Sequence, residues 1–131
     1  MSRKEWQQIL KPYAQADHKI VAKQILNTVV PYIALLIGSM YLGARGVNFF
    51  IILPLLILAG GLMVRVFIFF HDCTHGSFTS SKKWNSFLGN IFGFMVFTPF
   101  IQWKVEHSIH HSTVGNLDKR GVGDVWTMTS S

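Results

Sequence analysis

Residues 49–70 form a run of twenty-two positions whose single charge is Arg65. As a helix this run is roughly 33 Å long at about 1.5 Å per residue, enough to cross the hydrocarbon of a bilayer. A second apolar run, residues 28–42, precedes it, with Pro31 placed in the opening turn, where a missing N–H does no harm. Gly43, Ala44, Arg45, Gly46, Val47 and Asn48 make a short turn between the two. The pair predicts an antiparallel transmembrane hairpin. Half the residues are hydrophobic and only 14% are charged, which supports a membrane protein over a soluble domain. The net charge of +6 reads as topology. Arg3, Lys4, Lys11, Lys19 and Lys23 precede the first run, while the turn holds only Arg45. The N-terminus is therefore expected in the cytoplasm, and the second run returns the chain there. No compact basic run or RNA-binding aromatic motif is present, so nucleic acid is not expected as a partner.

The remaining segments are expected to serve that hairpin. Residues 2–14 read as an amphipathic helix with Trp6, Ile9, Leu10 and Tyr13 on one face, ringed by Arg3, Lys4 and Lys11 and suited to the headgroup plane. Residues 17–27 lead towards the bilayer, and His18 there is expected to be solvated, with no ligand role. Residues 85–101 are apolar but short, reaching about 25 Å as a helix, and are expected to dip into the interface or lie along it. Pro99 is expected to end that segment, and residues 116–126 read as a polar loop.

Five of the six histidines fall in two clusters, His71-Asp72-Cys73-Thr74-His75 and His107-Ser108-Ile109-His110-His111. On a helix, positions i and i+4, or i, i+3 and i+4, share a face, so the clusters present two and three imidazoles. Imidazole suits iron, zinc, copper and nickel. Such clusters beside membrane runs point to a transition-metal centre at a bilayer surface. That reading requires residues 85–101 not to cross, because crossing would part the clusters. Cys73 reads as a small buried filler rather than a ligand. Asp72 and Glu106 stand one residue from a histidine and suit contacts with the other ligands better than direct ligation; a solvated acid is an equal reading.

With these motifs the chain resembles the membrane fatty acid desaturases. His71-Asp72-Cys73-Thr74-His75-Gly76-Ser77 looks like their first histidine box, and Glu106-His107-Ser108-Ile109-His110-His111 like their second. Residues 115–124 are similar to the segment after the second box in bacterial acyl-lipid desaturases of the Δ12 type, and Lys11-Pro12-Tyr13 and residues 27–32 also look like that group. The resemblance implies an all-α membrane protein, a transmembrane helical hairpin with interfacial helices carrying histidine boxes at the cytoplasmic face. It implies insertion of a cis double bond into the acyl chain of a membrane lipid, using O2 and two electrons from an external donor of ferredoxin or cytochrome type. It implies His71, His75, His107, His110 and His111 as ligands to a pair of iron ions.

Phe97, Phe100 and Trp103 are candidates for lining an acyl slot, core packing being the blander reading of each. Lys82, Lys83, Lys104, Lys119 and Arg120 are candidates for a donor-docking face, although orientation in the membrane explains the same residues. The family's third histidine box has no counterpart after His111, so residues 1–131 are expected to be the N-terminal part of one desaturase domain, without turnover by itself. Competing readings are a histidine-box hydroxylase or ketolase of lipids or carotenoids, and a non-enzymatic membrane protein binding haem, zinc or nickel.

Overall fold

A computed structural model describes residues 2–10 and 15–116, and every regular element among them is an α-helix. In chain order these are α1 (Arg3–Leu10), α2 (His18–Ala44), α3 (Phe49–His75), α4 (Lys82–Met95) and α5 (Phe100–Thr113). Residues 11–14 and 117–131, including Tyr13, Lys119, Arg120 and most of the expected polar loop, lie outside the described residues.

Two helices, α2 and α3, are long and apolar enough to cross a membrane. They form the expected hairpin, with Gly43 beside Ile52 near the turn and His18 beside Ser80 at the other end. Both helices leave large apolar side chains exposed along their length. In α2 the buried residues are Thr28, Tyr32 and Ser39, whereas Ile37 and Met40 are 61% and 74% exposed. In α3 the buried residues are mostly apolar, with Val66, Phe69 and Phe70 at the centre of the core.

Helix α2 begins ten residues earlier than the apolar run alone predicts, and Pro31 lies inside it rather than in its opening turn. The start is set by Asp17, whose carboxylate accepts from the backbone N–H of Lys19 at 2.7 Å and of Ile20 at 3.4 Å. Val21 and Ile25 in the added turns pack on the core. Proline removes one helical hydrogen bond, a loss that packed membrane helices tolerate. Helix α3 begins at the Asn48 cap and runs past the apolar stretch to His75. There Gly76 takes a left-handed conformation, φ 71°, and Ser77 N–H donates back to Asp72 O at 3.0 Å. That closure satisfies carbonyls the helix end would otherwise leave open. The first histidine cluster is thus the last turn of α3.

The segment expected over residues 85–101 is two helices. Helix α4 starts at the Ser81 cap and stops at Met95, after which Phe97 sits at φ 56°. Pro99 therefore does not end this helix; it caps the next one. Helix α4 packs on α3 through Phe92, whose ring lies 5.8 Å from that of Phe69. Its far end is tied to the middle of α2, where Tyr32 Oη donates to Met95 O at 3.2 Å. So α4 descends along the hairpin, and α5 climbs back beside α3, placing Trp103 against Phe67 and Phe70, and His107 against His71. The tight return depends on two glycines. A Cβ on Gly89 would sit 2.3 Å from the Phe100 ring, and one on Gly93 would sit 2.6 Å from Thr98 O. In the N-terminal segment, α1 opens with a reciprocal cap between Ser2 and Glu5; it leaves Trp6, Ile9 and Leu10 exposed and packs on no other described helix.

Candidate metal centre

The fold-back of α4 and α5 brings the two histidine clusters to one end of the hairpin. His71 and His75 project from the last turn of α3, and His107 and His111 from successive turns of α5. Their Nε2 atoms converge: His75 to His71 at 3.3 Å, His75 to His107 at 3.1 Å, and His107 to His111 at 3.0 Å. One ligand atom from each of the four lies within 4.8 Å of all the others. Nitrogens bound tetrahedrally to one ion at about 2.0–2.1 Å stand about 3.3–3.4 Å apart. Three of the pairs stand at 3.0–3.3 Å, close to that spacing, so the donor set fits a single transition-metal ion.

His110 stands outside this quartet. Its ring is nearly parallel to that of His107, with centroids 6.1 Å apart. Cys73 is buried and free, as its filler role requires. His18 is exposed, with Ser80 Oγ at 3.4 Å. Asp72 lies against its own neighbour, with Oδ1 3.6 Å from His71 Nδ1, so it faces the nitrogen of His71 that is turned from the quartet. Glu106 accepts from Gln102 Nε2 at 3.0 Å.

Metal-binding imidazoles must be neutral. Burial, reinforced by the imidazoles of His71, His111, His75 and His110, pushes His107 down to about 4. A cavity of about 460 Å³ opens on the quartet, lined by Thr74, His75, Lys104, His107, Ser108 and His111. On the other side, Trp103 stacks on His107 with centroids 4.2 Å apart and planes at 16°. Of the three slot candidates, Phe100 is buried in the core, as the packing reading has it, and Phe97 is 86% exposed; of the three, Trp103 touches the histidines. Its spacing of four residues from His107 was the available signal for that contact.

Two bilayer-length helices with four imidazoles gathered at one end define a membrane protein built around a histidine-rich donor set. The family model for fatty acid desaturases matches residues 48–125. A fatty acid desaturase of Bacillus subtilis is 43% identical over 117 residues, which is 89% of this chain and 33% of that relative. An sn-2 acyl-lipid omega-3 desaturase (ferredoxin), chloroplastic, of Arabidopsis thaliana is 34% identical over 94 residues, 71% of this chain and 21% of that relative. An sn-1 acyl-lipid omega-3 desaturase (ferredoxin) of Synechocystis is 36% identical over 62 residues, 47% of this chain and 17% of that relative. No solved structure matches. The chain belongs to the fatty acid desaturase family. It spans about a third of the length of the Bacillus relative.

Proposed function

We propose that this chain carries the first two histidine boxes of an O2-dependent desaturase that inserts a cis double bond into an acyl chain of a membrane lipid. The observation that carries the reading is the convergence of four Nε2 atoms from both boxes within 4.8 Å. His71, His75, His107 and His111 hold one iron ion. His110, displaced around α5 from that quartet, serves a second ion whose other ligands come from the longer protein. Iron bound at the site supplies the O2-activating redox chemistry of the family.

Burial and the neighbouring imidazoles favour the neutral form of His107. Trp103, Phe67 and Phe70 wall one side of the quartet with aromatic rings, which keeps water from a reactive centre. The acyl lipid reaches the site from the bilayer along the apolar outer surfaces of the hairpin. Electrons come from a separate ferredoxin- or cytochrome-type donor, a reading supported by the ferredoxin in the names of the plant and cyanobacterial relatives. The hairpin crosses the membrane with its N-terminus and both boxes in the cytoplasm, as the charge asymmetry requires.

The test is lipid profiling of a desaturase-free bacterial host. A longer protein that carries these residues and the relatives' remaining length should yield new cis double bonds, and His71→Ala or His107→Ala in it should abolish them. An unchanged lipid profile from the active-length protein, or full activity in either variant, would contradict the reading.

A further inference from the structure

Among the residues around the quartet, Trp103 makes contacts that ligation alone does not require. Its indole is stacked on His107 and meets the His71 ring edge-on, with centroids 5.8 Å apart. On its other side it is held by Phe70 at 4.9 Å and Phe67 at 5.6 Å. Phe70 is completely buried. A continuous aromatic path thus runs from the rigid core of α3, through Trp103, to one imidazole from each box.

The torsion that turns an imidazole about its Cβ–Cγ bond is broad, so a histidine's rotamer does not fix its ring plane. In metal sites a carboxylate or carbonyl on the far ring nitrogen usually does so. Here Asp72 stands at that nitrogen of His71, with Oδ1 3.6 Å from Nδ1, whereas Glu106, the neighbour of His107, is engaged by Gln102. A flat ring at stacking distance is the alternative means of holding the plane.

We propose that Trp103 is a positioning residue of the metal centre: its indole sets the ring plane of His107, restrains His71, and so pre-organises one donor from each box for the same ion. The inference rests on the quartet being a metal site. Loss of this kind of outer support costs about 10–100-fold in metal affinity, and the same range is expected for Trp103→Leu. Trp103→Phe, which keeps a ring, should lose less.

The experiment is cobalt(II) titration of the purified full chain in detergent, read by visible absorption of the bound ion and by tryptophan fluorescence. Cobalt should quench the wild-type emission. Trp103→Phe should remove most of that quenching, and Trp84→Phe, on exposed α4 surface, should keep it. Trp103→Leu should bind about 10–100-fold more weakly, with an altered cobalt spectrum and unchanged helix content by circular dichroism. If the leucine variant does not fold, the quenching pair decides. Undiminished quenching in Trp103→Phe, or wild-type affinity and spectrum in a folded Trp103→Leu, would overturn the inference while leaving the metal site standing. No cobalt uptake by the wild-type chain would overturn the metal reading and this inference with it.

Discussion

Helix geometry and the partner helix together divide the five clustered histidines into the converging quartet and His110. Successive residues are about 100° apart around a helix axis. His71 and His75, like His107 and His111, are four residues apart and so nearly aligned, whereas His110 lies about 100° from His111. The same rule turns Cys73 about 200° from either neighbouring ligand, into the core where it is found. The i, i+4 pairs were legible in the sequence. The exclusion of His110 was not, because His-x-x-His-His is equally compatible with a triple until the partner helix fixes which side of α5 is used. The structure therefore predicts that His107→Ala abolishes tight binding of one zinc or iron per chain, while His110→Ala retains it within a few-fold. Metal analysis of the purified variants after exhaustive dialysis reads this directly, and loss of the ion in His110→Ala would refute the assignment of the quartet.

At the scale of elements, the long helices could be read from hydropathy and their limits could not. Asp17 and Gly76 decide where α2 starts and α3 stops, and both lie outside the apolar runs. Pro31 and Pro99 were misleading for opposite reasons. Packing on α3 carries α2 through the first, and the second opens α5 after α4 has already ended at Met95. The return of α5 beside α3 was legible only as the requirement that both histidine clusters share a face. Its local cause is a pair of glycines, Gly89 under the Phe100 ring and Gly93 under the Thr98 carbonyl. Gly93→Ala would press a methyl group against a backbone carbonyl that has little room to move, and overpacking of this kind costs about 1–3 kcal/mol. The expected outcome is a lower thermal midpoint together with weaker zinc binding, measured on the same preparation. Gly38→Ala is the control, since nothing lies within 4 Å of its added Cβ. Tyr32→Phe removes the hydrogen bond to Met95 O and should cost about 1 kcal/mol, read as a smaller fall in the same midpoint.

For the whole molecule, the consequence is sidedness. The hairpin returns the chain to its starting end, and α4 and α5 descend and climb without leaving it, so both boxes share that end. In a Cys73→Ala background, Ser77→Cys and Ser112→Cys should react with an impermeant maleimide from the same face of sealed vesicles, and Arg45→Cys from the opposite face. The central claim is that the two boxes grip one ion. X-ray absorption of the zinc-loaded chain addresses that most directly. The account predicts about four imidazole nitrogens at about 2.0–2.1 Å, with His71→Ala and His107→Ala each degrading the same single shell. An ion coordinated by one box alone, with its spectrum unchanged when the other box is mutated, would contradict it.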